Sequence, residues 1–399
     1  MAEQVTIVVA VSRLRPGMVT AEVFDARGRL LAGDRYEITS RQDIARFKLN
    51  GISQVRVYTT GGSDGDSAPL LGAPLSGANG LSAEFTTELR RARAVHAETV
   101  RVIGKLMKAA RFGKAFSLEP VREVIGGIVE TAVRVPDVAL AVSRLKEDGC
   151  DEYNHAVNVS LLATALAHAC GEGNDRCRSV ATGGLLHDIG MLALPERIRR
   201  RSGTLTGRDR VLMRRHPMSG VDMLAGREGI REEVLFIVAQ HHERYMGGGY
   251  PRRLCGDAIS PLALMVGLAQ EYESMTSVRP WRRRYLPQEA LATLFQHSAI
   301  HYPRPLVERF TAMLGIYPVG SLVELQSGEK GVVIRRNPHS LLHPVVMVLL
   351  DRENRGVEPV VTPLHSDAAS SAGRVVRSLR PEHYGIEPSV CLGALASVR

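Results

Sequence analysis

The sequence predicts a multi-domain protein with an all-α central core, a small N-terminal α/β domain and a small β-rich C-terminal segment. Three observations predict it. Helical spacing of apolar residues, interrupted by Gly and Pro, runs from residue 83 to Met313. Strand-like apolar runs occupy both ends of the chain. A stretch rich in Gly, Ser and Pro separates the first strands from the first long helix.

The elements follow in order. In the N-terminal domain, residues 1–60, segment 4–11 is strand-like and Arg15-Pro16-Gly17 is a turn. Segment 39–49 has helical spacing, and 54–58 is a further strand. Residues 61–82 are a linker, ending at Ser82 as the helix cap. Leading helices fill 83–137, and the main helical domain spans 138–317. There Val157, Leu161, Leu162 and Ala165 mark one face of an amphipathic helix starting at His155. Over 318–399, VGSLVEL, GVVIRR and HPVVMVLL are separated by SGEKG and RNPHS turns, the pattern of a small antiparallel sheet. Residues 366–374 read as loose.

Composition narrows the function classes. No apolar run approaches the roughly 20 residues that cross a bilayer. The opening MAEQVTIVVAVSRL has no basic lead and no cleavage-like site, so a secretory leader is not expected. Five cysteines, odd in number and without a CxxC pair, point to a reduced, cytoplasmic compartment. The net charge of +9 is concentrated, with eight arginines between Arg197 and Arg215 and another cluster at Arg279, Arg282, Arg283 and Arg284. Such clusters suit a solvated face or an anionic ligand. Without Cys/His fingers, heptads or an aromatic-basic RNA signature, nucleic acid is not the expected partner.

Six residues carry metal-ligand chemistry: His155, the pair His187-Asp188, His216 and the pair His241-His242. Imidazole with carboxylate suits a borderline or hard divalent cation. Six ligands exceed what one tetrahedral zinc needs, so the set points to two ions. Taken singly, His155 reads as a first-turn polar residue and His216 as a surface or capping histidine. Their order gives them weight. The string HHERYMGGGYP then adds a Gly-rich turn that brings backbone near whatever lies over the metals.

With LLHDIG carrying an HD signature and HHERYMGGGYP a GYP signature, residues 138–317 resemble the HD-GYP family of HD-type metal-dependent phosphohydrolases. VSRLRPGM and GIYPVGSLVEL resemble segments that flank such domains. The resemblance implies an all-α hydrolase of cyclic di-GMP, working by attack of a metal-bridged hydroxide, with iron or manganese rather than zinc. It implies His155, His187, Asp188, His216, His241 and His242 as ligands, with Asp188 between the ions and His187 and Asp188 central to catalysis. It places Gly249, Tyr250, Pro251, Arg279 and Arg282 at the substrate. Asp151 falls where some members recruit a third ion. A signalling-protein partner at the GYP loop and a homodimer are assemblies compatible with the family.

Three positions depart from the family pattern. Met191 replaces a Lys after HDIG, Met246 replaces an Asp in the GYP motif, and Gln270 in LAQEYESM replaces a ligating Asp. Glu271 and Glu273 are the nearby carboxylates, each out of register for that position. Three readings follow: a phosphodiesterase with reduced activity, a degenerate member that binds a cyclic dinucleotide or a protein without turnover, or a phosphohydrolase acting on another nucleotide, which the GYP string weighs against.

Overall fold

The computed structural model describes residues 6–11, 19–25, 30–32, 36–38, 52–58, 83–112, 116–145, 151–199, 206–277, 283–337, 340–365 and 373–396. The chain divides into two compact units, residues 1–73 with 380–387, and residues 74–379 with 388–399.

In the first unit, β1 (Thr6–Ala10), β2 (Val19–Asp25), β3 (Leu30–Ala32), β4 (Tyr36–Glu37) and β5 (Ile52–Tyr58) make one antiparallel sheet. Strand β5 is central. Val55 is the register partner of Val9 in β1 on one side and of Val23 in β2 on the other. The two strands expected from the sequence are therefore neighbours, and β2 to β4 are additional. The helix expected over 39–49, the linker 61–82 and Ser82 lie outside the described residues.

The second unit begins with helices α1 (Ala83–Arg111), α2 (Glu119–Arg134) and α3 (Pro136–Val142). In α2, Val121, Ile125, Ile128, Val129 and Ala132 recur at helical spacing and are buried, while the charged residues between them face water. Helices α4 (Asp151–Ala169) and α5 (Asn174–Leu186) follow, then a 3-10 turn (Ile189–Ala193), α6 (Gly207–Met213), α7 (His216–Leu224) and α8 (Glu232–Gln240). Helices α9 (Pro261–Thr276), α10 (Pro287–Gln296) and α11 (Arg304–Leu314) complete the bundle.

Helix α4 corrects an expectation. It is not amphipathic but buried on every face from Asn154 to Ala167. It contacts α1, α2, α3, α5, α9 and α11, so no side is left for solvent. Its polar residues are satisfied internally: Ser160 Oγ donates to the Ala181 carbonyl at 2.7 Å, and Asn158 Oδ1 accepts from His96 Nε2 at 3.0 Å.

Glycines set the spacing between the site-bearing elements. A Cβ on Gly184 would lie 2.9 Å from Ser160 Cα, so α4 and α5 meet backbone to backbone. A Cβ on Gly190 would land on the His216 carbonyl oxygen and the Gly220 nitrogen, so the 3-10 turn rests directly on α7.

Strands β6 (Leu322–Leu325), β7 (Lys330–Arg335), β8 (Val345–Leu350), β9 (Gly356–Pro363) and β10 (Val375–Leu379) form an antiparallel sheet in the order β10-β6-β7-β8-β9. Val323, Val333, Val346, Val348 and Leu364 make its core. The three expected strands are adjacent within it, and β9 and β10 are additional. Arg336, just after β7, pairs with Asp137 of α3, tying the sheet to the bundle. A final helix covers Pro388–Leu395. Among the described residues no helix is long and apolar enough to cross a membrane.

Gly190→Ala should lower stability by about 3 kcal/mol, because backbone rather than a movable side chain blocks the added methyl. Thermal melting measures it, and an unchanged midpoint would show that the 3-10 turn has slack.

Candidate metal centre

Every ligand-type residue singled out in the sequence, apart from His155, sits at a helix boundary. His187 ends α5, with Asp188 directly after it. His216 opens α7, and His241 ends α8, with His242 directly after it. At a helix end successive side chains diverge, which lets adjacent residues serve different neighbours. His155 is the fifth residue of α4 and projects from the buried bundle.

Three of the histidines are oriented by one local device. The Nδ1 of His187 reaches the Gly184 carbonyl at 2.8 Å, that of His216 the Met213 carbonyl at 2.7 Å, and that of His241 the Val238 carbonyl at 2.9 Å. A carbonyl only accepts, so Nδ1 carries the proton and Nε2 presents a lone pair. His155 is oriented differently: its Nδ1 donates to the buried Glu273 carboxylate on α9. A carboxylate behind an imidazole is a common support for a metal ligand.

The lone pairs converge on Asp188. Its Oδ1 is 3.2 Å from His216 Nε2 and 3.7 Å from His241 Nε2, and its Oδ2 is 3.3 Å from His187 Nε2. The ligand atoms fall into two groups. One contains Asp188, His216, His241 and His242, the other His155, His187 and Asp188. Asp188 alone belongs to both.

This donor set fits divalent cations. The Nε2 atoms of His216 and His241 lie 3.3 Å apart with both protons committed to Nδ1, so no hydrogen bond joins them. His187 Nε2 is buried without a hydrogen-bond partner. Converging lone pairs beside a carboxylate need a cation between them. About a third of the Asp188 side chain is exposed, while His187 and His216 are buried, so the centre opens to solvent at the shared carboxylate.

Electrostatics favour the ligating forms of His241, His242 and Asp188. Burial pushes His241 down to about 4 and holds His242 well below the usual imidazole range, so both stay neutral at physiological pH. Burial opposes the charge on Asp188, but the neighbouring His187 outweighs it and holds its carboxyl well below the usual range. Burial also opposes charge on His187, and the Asp188 carboxylate outweighs it and raises that pKa. A cation entering between these two would displace a proton.

The Gly-rich loop closes one side. Glu243 is buried and accepts from the Arg252 and Leu254 amides at 2.7 and 3.0 Å, folding the loop back on itself. A Cβ on Gly249 would lie 2.5 Å from Glu243 Cα and 2.6 Å from the His242 carbonyl oxygen, so only glycine allows the crossing. Tyr250 is thereby stacked on His242 with ring centroids 4.5 Å apart, and the Arg214 guanidinium lies 5.4 Å from its ring centroid. Pro251 is half-buried at the loop's end. Arg214 was not singled out in the sequence, where it is one of eight clustered arginines.

Helix α9 separates the remaining acidic residues. A Cβ on Gly267 would lie 2.5 Å from the His241 carbonyl oxygen, and Glu273 supports His155. Gln270 is one turn from each, on the face between them. Neither glutamate takes its place. The two oxygens of Glu273 are committed to His155 and to Ser277 Oγ, the latter at 2.6 Å. Glu271 is held by Arg244 at 2.7 Å and by the Tyr302 hydroxyl at 2.9 Å. Met191 is half-buried in the 3-10 turn and Met246 is exposed in the loop. Arg279 and Arg282 lie outside the described residues, as does the side chain of Asp151.

A family model described as an HD domain matches residues 140–306, and a domain family of unknown function matches residues 6–121. A cyclic di-GMP phosphodiesterase of Pseudomonas aeruginosa is 30% identical over 325 residues, covering 80% of this chain and 78% of its own length. The cyclic di-GMP phosphodiesterase response regulator RpfG of Xanthomonas campestris is 33% identical over 148 residues, 37% of this chain and 39% of that protein. A 3'3'-cGAMP-specific phosphodiesterase of Vibrio cholerae is 27% identical over 167 residues, 42% of this chain and 31% of that protein.

Asp188→Ala should strip most bound divalent metal, because the carboxylate is common to both ligand groups. Glu273→Gln should weaken metal retention roughly 10–100-fold through loss of support for His155. Elemental analysis of the folded variants checks both, and unchanged metal content in Asp188→Ala would overturn the assignment.

Proposed function

The chain belongs to the HD-GYP family, and from that premise we propose that it is a metal-dependent phosphodiesterase that hydrolyses cyclic di-GMP. The observation that carries the proposal is the position of Asp188, shared by two groups of histidine lone pairs and open to solvent. A centre of that kind suits a phosphodiester, whose attacking and leaving oxygens two ions can stabilise. The relatives named as cyclic di-GMP phosphodiesterases support the substrate.

His155, His187, Asp188, His216, His241 and His242 would hold two divalent ions, iron or manganese as the family resemblance implies. Bound there, such ions supply Lewis acidity that lowers the pKa of water and offsets charge on the phosphate oxygens. The protein's own part is to fix that geometry. Asp188 stays anionic between the two histidine groups, and Glu273 orients His155. Tyr250 offers an aromatic face beside the opening, with its hydroxyl kept protonated by burial. Arg214 brings positive charge to the same side, and Arg279 and Arg282 are proposed to meet the phosphates as well.

Two departures predict a slow enzyme. The Met191 thioether has no proton to give a leaving oxygen and no charge to offer the phosphate, a loss on the order of 10²–10³ in rate by analogy with a deleted oxyanion donor. Gln270 contributes a neutral carbonyl where a carboxylate would add negative charge to the ions. The commitment of Glu271 and Glu273 to other partners also favours a second reading, a non-catalytic cyclic dinucleotide-binding or protein-binding signalling module.

Turnover of cyclic di-GMP by the full-length chain at saturating manganese distinguishes the two. The enzyme reading predicts measurable hydrolysis, raised together with metal occupancy in Gln270→Asp, and raised without added occupancy in Met191→Lys. No hydrolysis by wild type or either variant, at full metal content, would leave the binding reading. Arg279→Ala should weaken cyclic di-GMP binding and flatten its salt dependence with metal content unchanged.

A further inference from the structure

A second group of ligand-type side chains lies apart from the six residues above. Glu271 is on α9, His297 caps the end of α10, and His301 is in the turn that follows. The His301 amide donates to the His297 carbonyl at 2.9 Å, a helical spacing that puts both imidazoles on one side. Their ring centroids are 4.7 Å apart. One ligand atom from each of the three residues lies within 4.8 Å of the others.

The polar atoms here lack partners in a way packing does not explain. The Nδ1 atoms of His297 and His301 are both buried without a hydrogen-bond partner. His301 Nδ1 is 3.8 Å from Glu271 Oε1, too far for a hydrogen bond. The other oxygen of Glu271 is fixed by Arg244 and Tyr302, so Oε1 is held in place and left available.

We propose that Glu271, His297 and His301 form a separate site for a borderline divalent transition ion such as Zn²⁺. Two imidazoles and one carboxylate oxygen are a three-ligand set that leaves a fourth position to water. Arg244 already offsets part of the Glu271 charge, which disfavours hard ions that need several anionic oxygens and favours nitrogen-binding ones. The site has a structural consequence. The carbonyls of His301 and Ile300 accept from the Tyr245 and Met246 amides at 2.9 and 3.0 Å. An ion joining this turn to α9 therefore anchors the start of the Gly-rich loop whose Tyr250 stacks on His242.

The test is a Zn²⁺ count on the full-length chain after chelation, reloading and desalting. Wild type should hold one more Zn²⁺ per chain than the His297→Ala, His301→Ala double variant. Equal counts would overturn the proposal. Should circular dichroism show the double variant unfolded, Glu271→Gln carries the test, since it keeps the side chain's shape. It should weaken Zn²⁺ binding at this site roughly tenfold or more, and an unchanged affinity would overturn the proposal. Failure of cyclic di-GMP turnover in wild type would leave this count untouched, so the site and the phosphodiesterase reading fail separately.

Discussion

The structure depends on one electrostatic constraint: imidazole lone pairs from three separate helix ends converge on a single carboxylate, Asp188, in a mostly buried place. His216 and His241, with Nδ1 committed to backbone carbonyls, cannot hydrogen-bond to each other through Nε2 while neutral. Their approach is unfavourable until a positive charge sits among them. The surrounding fold holds that approach in place. Gly190 lets the 3-10 turn lie on α7, Gly267 lets α9 lie on the end of α8, and Gly184 lets α5 lie on α4. Each removes a side chain where two backbones that build the site must nearly touch.

Orientation is built in two ways with different mechanical character. His187, His216 and His241 are each fixed within their own helical turn, by a carbonyl three residues back. Their aim is a local property that survives small shifts between helices. His155 depends on Glu273, 118 positions away along the chain, and on the packing of α4 against α9. Its aim is a tertiary property, and the ligand group containing His155 is accordingly the more sensitive to mutation in α9.

Helix α9 serves three neighbours with closely spaced residues. Gly267 meets His241, Glu273 meets His155, and Glu271 turns to Arg244 and Tyr302. Successive helical residues are about 100° apart, so residues this close must face different partners. The same geometry explains why the charge missing at Gln270 is not restored by the adjacent glutamates. Each is held by its own partners, and moving one to the centre would require rotating the helix and breaking those contacts.

The sequence by itself determined the helical core with strands on either side of it, and it displays the six ligand-type residues as short strings. Helical periodicity and strand alternation are local, and a His-Asp or His-His pair at a helix boundary is visible as a string. It also exposed Met191, Met246 and Gln270, because those are questions of residue type. Only the tertiary structure decided that α4 is buried on every side, since burial depends on how many helices surround it. It also decided that Glu273 supports His155, that Glu271 belongs to a different cluster with His297 and His301, and that Gly249 is required by a backbone crossing. β9 and β10 likewise gain their meaning only from pairing, β9 with β8 and β10 with β6. The physical reason is common to all of these. Spacing along the chain sets the direction of a side chain, but what it meets there is set by segments far away in sequence.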